Sequence, residues 1–435
     1  MAKVLFLSTN PAAFRSTFIG YLYEVAQRHS VLLLIEGLDS YTKDILNNKN
    51  MFPGLEKILF FESPFHGNIV AKNYHLHKIM QKTVQDFKPD IVVADSDMWP
   101  AGMYLMRLAK KAGAITVVMQ SGFKIAEQKK LFLWSCLTNA YTRMPRFLPF
   151  GIRMMLVKLK KWAGYALYHW IFPLSVGESP FFGKTSFLFW HESAGLRQAD
   201  YAVVFSQRDY DICKRDGVDP QKLFVISHPL EHESTKKFFE KAYFSENRKK
   251  EDKKTVTVMW SEEKTGFREG DYSLISATDM RESRIKQVML ISEKLVDWKI
   301  FIKPHPAEKE VPQIKEFLGR ISGDISVVNP SEPADAYIEK SDVIVGMPPP
   351  STTLFTAQKQ HPEMPIVHMN LIKEFLADAY KDFEGIEYVD TETKFNHIFD
   401  TIQKGAYRKE KKPSVPADFS DAAALINHIY AKRIS

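Results

Sequence analysis

Cysteine is almost missing from this chain of 435 residues: only Cys136 and Cys213 are present. Two thiols exclude a disulfide framework and leave no zinc-ligand cluster, so the expected setting is a reducing cytoplasm and the expected metal complement is none. Apolar runs are short as well, and none approaches the ~20 residues that a membrane-spanning helix needs. The run Val4-Leu5-Phe6-Leu7 stops at Ser8-Thr9-Asn10, too early for a signal peptide. No G-x-G-x-x-G follows it, which removes the main support for a dinucleotide oxidoreductase. Repeats of the kind that mark a solenoid are missing too. One further absence is local: between Gln128 and Gly177 there is no acidic residue.

What is present is globular in composition, with 45% hydrophobic and 26% charged residues. The length points to two domains. A net charge of +7 is moderate, so its location matters more than its size. Apolar runs at Val4 to Leu7, Ser30 to Ile35, Lys57 to Phe61, Asp90 to Ala94 and Ala114 to Met119 alternate with helical patterns, as in a parallel sheet covered on both faces. The expected boundaries are an N-terminal Rossmann-like domain over 1–235 and a lysine-rich connection over 236–254. A second domain follows over 255–412, and a final amphipathic helix over 413–435.

In the first domain, Asp95, Ser96 and Asp97 follow a strand directly, at the edge where α/β proteins place ligands. Asp95 is the favoured general base for an acceptor hydroxyl, whereas Asp97 suits a helix cap better. Gln120-Ser121-Gly122 ends the next strand and offers a second edge turn. An insertion over 128–191 begins with the acid-free stretch, where Lys129, Lys130, Arg143, Arg146, Arg153, Lys158, Lys160 and Lys161 are interleaved with Phe, Leu, Met, Tyr and Trp. That mixture suits an anionic membrane surface at 128–177; a packed helical hairpin or a basic cleft for an anionic acceptor are the other readings. His228-Pro229 is read as the exit from this domain.

The second domain opens with Thr255 to Trp260, after which Ser261 is placed to touch a donor phosphate and Glu262 is a reserve base. Ile300-Phe301-Ile302 reads as a buried strand that Pro304 and Pro306 stop, placing Lys303 and His305 at its carboxyl end. A histidine so placed can protonate or hydrogen-bond a phosphate while the lysine adds positive charge. Next come Asn329-Pro330-Ser331-Glu332, the strand Asp342 to Gly346, and the loop Met347-Pro348-Pro349-Pro350-Ser351-Thr352-Thr353 leading into a helix. Its hydroxyls suit an N-cap, and a helix start favours an anion. His368 is expected to be a packed strand-end side chain.

Together these pieces resemble the C-terminal half of bacterial glycosyltransferases of the GT-B fold that use CMP-activated sugars, such as sialyltransferases, polysialyltransferases and some Kdo transferases. Those enzymes carry a Lys-x-His-Pro motif, a ribose-binding glutamate and a Ser-Ser or Ser-Thr pair on the donor phosphate. The pattern falls here on Lys303, His305 and Pro306, on Glu332, and on Ser351 and Thr352. CDP-glycerol polymerases resemble the same set. The resemblance covers about the last 180 residues in motif and the first half in architecture only. The Pro-Pro-Pro run before Ser351 departs from the small residues usual there.

The resemblance implies an α/β GT-B fold of two facing Rossmann-like domains with a C-terminal crossover helix. It also implies an inverting glycosyl transfer from a CMP donor to a glycan or glycolipid hydroxyl, with Asp95 as base, His305 assisting the departing phosphate, Lys303, Ser351 and Thr352 binding that phosphate and Glu332 the ribose. A single-phosphate leaving group lets cationic side chains and a helix start replace a metal, so no cofactor beyond the nucleotide-sugar co-substrate is expected. A CDP-glycerol or UDP-sugar transferase and a non-hydrolysing sugar-nucleotide 2-epimerase are the rivals. Such epimerases usually show Ser-Gly-Gly followed by paired glutamates where this chain has Ser351-Thr352-Thr353-Leu354-Phe355-Thr356. A membrane-peripheral scaffold without turnover is the non-enzymatic alternative. Nucleic acid is not an expected partner, because no recognition module accompanies the basic stretch.

Overall fold

Two parallel sheets organise the chain. The computed structural model describes residues 1–435 except 10, 12–13, 39, 63–68, 96–99, 121–127, 167–198, 216, 244–252, 263–264, 307, 349–350, 382, 384, 409–416 and 435. The chain divides into two compact units, Met1–Ala242 with Val415–Ser435, and Tyr243–Ser414.

In the first unit β1 (Lys3–Ser8), β2 (Ser30–Glu36), β3 (Leu55–Phe61), β4 (Ile91–Ala94), β5 (Ile115–Met119), β6 (Tyr201–Val204) and β7 (Leu223–Val225) pair in the order β3-β2-β1-β4-β5-β6-β7. Every neighbouring pair is parallel. The strands are short β-branched and leucine runs, and β1, β2 and β4 are buried almost throughout, as a sheet covered on both faces requires. Helices Ile69–Phe87 and Pro100–Lys111 supply Leu76, Met80, Tyr104, Leu105 and Leu108 to one face.

The final helix, Ala422–Ile434, belongs to this unit and packs on Ile19–Ala26, burying Leu425, Ile426 and Ile429. One buried carboxylate fastens it. Glu24 accepts hydrogen bonds from Ala422 N at 2.8 Å and Thr235 Oγ1 at 2.5 Å, and pairs with His232 Nδ1 at 2.6 Å. The lysine-rich segment expected as a connection over 236–254 is helical over Glu233–Tyr243. Phe238, Phe239 and Ala242 form its buried stripe, so apolar spacing prevailed there over composition.

The second unit has β8 (Thr255–Trp260), the hairpin β9 (Gly266–Phe267) and β10 (Leu274–Ile275), β11 (Lys299–Pro304), β12 (Asp324–Val327), β13 (Val343–Gly346), β14 (Ile366–Met369) and β15 (Glu387–Val389). The six-stranded sheet runs β12-β11-β8-β13-β14-β15, all parallel. Counted in chain order within each sheet, both units therefore begin 3-2-1-4-5-6, the doubly wound order in which the connections reverse direction between the first and fourth strands. The core gathers Val256, Val258, Val288, Ile291, Ile302, Val345, Phe395 and Phe399.

Candidate functional site

The carboxyl ends of β8, β11 and β13 lie side by side in the second unit. Pro304 pairs with Trp260 and Gly346 with Met259, so Ser261, His305 and the Met347 loop leave the sheet on one edge, at its switch point. His305 donates its backbone N–H to Trp260 O at 2.8 Å, and its side chain is exposed, as is Pro306. Ser261 is buried.

Lys303 is buried, and its ammonium donates to the carbonyls of Pro304 at 2.8 Å and Pro330 at 2.9 Å. These two bonds tie the end of β11 to the loop after β12. Burial lowers its pKa to about 8, with the Glu332 carboxylate pulling the other way. Glu332 is exposed and accepts a hydrogen bond from the Tyr337 hydroxyl. Burial first, and then this bond, raise the tyrosine's pKa. Tyr337 packs on Phe301 of β11 at 5.4 Å, which fixes the turn that carries Glu332.

Ser351 is the N-cap of helix Thr352–Gln360, with extended φ and ψ of −115° and 132°. Its hydroxyl accepts from Thr353 N at 3.3 Å and donates to Thr353 Oγ1 at 3.0 Å. Thr352 is the first helical residue. A Cβ added at Gly346 would lie 2.4 Å from Leu354 Cδ1 and 2.9 Å from its Cγ, so glycine at the end of β13 is what lets this helix start approach the sheet. The first turn carries no acidic residue.

In the first unit Asp95 stands at the equivalent edge, between β4 and β1. Its carboxylate accepts from Ser8 Oγ at 3.0 Å, Thr9 N at 2.7 Å and Thr9 Oγ1 at 3.1 Å. It is buried, and both oxygens are oriented by the β1 loop. Ser96 and Asp97 lie outside the described residues, as do Ser121 and Gly122.

The same architecture is found in solved structures. S. aureus MnaA, in its co-structure with UDP, superposes with a TM-score of 0.54 at 12% identity, over 99% of this chain and 97% of that one. UDP-GlcNAc 2-epimerase from Neisseria meningitidis, bound to UDP-GlcNAc, gives 0.52 at 12% over 99% and 100%. The enzyme of the same description from Methanocaldococcus jannaschii gives 0.52 at 12% over 100% of both chains. These likenesses establish a GT-B-like α/β fold. No family model matches this chain, and no curated protein matches it in sequence.

Other residues singled out in the sequence have local duties. Gln120 donates to Asp209 Oδ2 at 2.9 Å and accepts from Phe205 N at 3.1 Å, bracing β5 against the segment after β6. His228 is buried; its Nδ1 accepts from Leu230 N at 3.2 Å, so Nε2 carries the proton toward Thr17 Oγ1, also at 3.2 Å. His368 is enclosed between Tyr380 and Tyr388, and burial lowers its pKa to about 3.

Sequence reasoning missed Arg284. It is fully buried on helix Ala277–Lys294, and its guanidinium donates to the carbonyls of Pro348 and Ser261. A usable signal was present: Arg284 stands in the apolar stripe Met280, Val288, Ile291, where a charge is out of place unless it has partners. Among the described residues no group of three His, Cys, Asp or Glu side chains is placed to hold a metal ion.

Proposed function

We propose that this chain is a nucleotide-sugar-dependent enzyme whose Tyr243–Ser414 unit holds the nucleotide, and that its reaction is glycosyl transfer. One observation carries the reading: His305, Ser261 and the capped start of helix Thr352–Gln360 leave one edge of a doubly wound sheet at its switch point. Solved structures of like fold, with UDP or UDP-GlcNAc bound, support a nucleotide-sugar ligand.

The finer reading is a CMP-activated acidic sugar, sialic-acid-like or Kdo-like, moved with inversion to a glycan or glycolipid hydroxyl. It rests on the order Lys303, His305, Pro306, Glu332, Ser351, Thr352. In this mechanism His305 assists the departing phosphate as acid or hydrogen-bond donor, Ser261, Ser351 and Thr352 bind it, and Glu332 binds the ribose. Lys303 acts on the phosphate through its charge and ties the end of β11 to the loop after β12. Asp95 takes the acceptor proton, held ready by Ser8 and Thr9. Turnover would need no divalent metal, so activity abolished by EDTA and restored by magnesium would count against it.

A second reading, a UDP-sugar 2-epimerase, is supported by the UDP-GlcNAc 2-epimerases among the structures of like fold. The helix start from Ser351 to Thr356, which lacks the paired glutamates usual in such epimerases, argues for transfer instead. Incubation with UDP-GlcNAc alone separates the two. Conversion to its 2-epimer without any acceptor would establish the second reading and end the first.

The insertion supports a membrane-facing role at the inner surface of the cell membrane. Helices Gln128–Arg143 and Phe150–Ala166 pack through Cys136, Ala140 and Val157. The second helix leaves Ile152, Met155 and Leu159 exposed with Lys158 and Lys160, and the connection between the two leaves Arg146 and Phe147 exposed. Bulky apolar groups interleaved with cations, without acids, suit anionic headgroups. Among the described residues no helix is long and apolar enough to cross a membrane.

A further inference from the structure

The loop Met347-Pro348-Pro349-Pro350-Ser351 joins β13 to the helix start assigned to the phosphate. Three prolines in succession supply carbonyls but no N–H groups, so the run itself has no backbone donor to offer. The carbonyls at its two ends, Pro348 O and Ser351 O, take donors from elsewhere in the fold.

Two buried side chains provide them, one at each end. At the first end Arg284 donates from Nε at 2.9 Å and Nη2 at 2.6 Å to Pro348 O, and from Nη1 at 2.8 Å to Ser261 O. The guanidinium lies over the Trp260 ring, 5.2 Å from its centroid. At the other end the Tyr380 hydroxyl donates to the carbonyl of Ser351, the N-cap itself. Tyr380 is fully buried and held by His368 at 4.7 Å and Phe383 at 5.8 Å. The two donors come from different elements, helix Ala277–Lys294 and the 3₁₀ turn Phe375–Tyr380.

We propose that Arg284 and Tyr380 are positioning residues that hold the two ends of this proline loop and so preset the phosphate-receiving start of helix Thr352–Gln360. The inference rests on the nucleotide reading above and deepens it. A buried guanidinium is costly to desolvate, and apolar packing would fill the space more cheaply. What the planar fork adds is a fixed distance between the loops after β8 and β13, which flank the switch point. Fixing them beforehand lowers the ordering cost when an anion binds. The effect is directed at the phosphate and leaves the nucleoside contacts alone.

The test is calorimetric titration of the full chain, wild type and the Tyr380→Phe and Arg284→Lys variants, with CMP, UDP, cytidine and uridine, the nucleosides read by competition. The expected result is that each variant loses about tenfold or more in affinity for the nucleotide the wild type binds, with nucleoside affinity within about twofold. Tyr380→Phe removes one hydroxyl and keeps the ring, so it decides the matter even if Arg284→Lys fails to fold. Nucleotide affinity unchanged in Tyr380→Phe overturns the inference. So does an equal loss for nucleoside and nucleotide, which marks general distortion. A wild type that binds neither CMP nor UDP overturns the nucleotide reading itself, an outcome visible before any variant is compared.

Discussion

Arg284 and Pro348 are joined by two hydrogen bonds through one carbonyl oxygen, and the remaining arm of the guanidinium reaches Ser261 O. The first unit has a counterpart of opposite charge. There the Asp95 carboxylate, at the end of β4, takes three donors from Ser8 and Thr9 at the end of β1. In each unit a buried charged side chain bridges the loops after the first and fourth strands of the sheet, where the strand order reverses.

Replacing Arg284 by methionine keeps much of the volume and leaves the carbonyls of Pro348 and Ser261 without these donors. The variant should lose about 2–4 kcal/mol of unfolding free energy in urea, the range for breaking a buried, charge-assisted set. A loss below about 0.5 kcal/mol would mean that the loops are held by packing alone.

His232 gives a pH dependence with a defined sign. Burial lowers its pKa, but the hydrogen bond and charge of Glu24, with Asp421 and Glu231, outweigh burial and the net shift is upward. A raised value in the folded state stabilises fully below the ordinary histidine pKa of about 6.5 and is lost as pH rises through the folded value. Wild type should therefore lose stability relative to His232→Gln as the buffer is moved from mildly acidic to alkaline. Parallel stability curves for the two proteins would show that the pair contributes nothing that titrates.

Asp95→Asn should abolish most turnover, by about a hundredfold or more for a lost general base, while the Ser8 and Thr9 loop keeps one acceptor oxygen. Binding of the donor nucleotide should not change. Full activity in the variant would reduce Asp95 to a loop brace.

Charge reversal at Lys158 and Lys160, both exposed, should abolish co-sedimentation with vesicles rich in phosphatidylserine. Neutral phosphatidylcholine vesicles should bind wild type weakly. Unchanged partition of the reversed variant would leave the hairpin as an internal feature of the insertion.

Much of the fold is legible in the sequence because both sheets are parallel and covered, so their strands stand out as continuous apolar runs. Thr255–Trp260 has the bounds that the pattern indicates, and Val343–Gly346 falls within the expected run Asp342 to Gly346. The hairpin β9–β10 is not legible, since two-residue strands cannot show alternation. Helix Glu392–Gln403 is not among the expected elements, although Phe395, Phe399 and Ile402 carry its spacing. In the candidate site, the common edge of Ser261, His305 and Ser351 follows from strand ends visible in the sequence. The partners of Lys303 do not: its bonds to Pro304 and Pro330 arise from how the loop after β12 returns beside β11, and local sequence does not encode that return.

The most direct test of the account is nucleotide binding by the full chain, wild type against a variant in which His305 and Ser351 are both alanine. Neither substitution removes a core side chain, since His305 is exposed and Ser351 half-buried. The account predicts that CMP or UDP raises the wild-type melting temperature in proportion to the logarithm of its concentration, and that the double variant shows no such shift while melting cooperatively. Equal nucleotide stabilisation of both proteins would place the ligand elsewhere and contradict it.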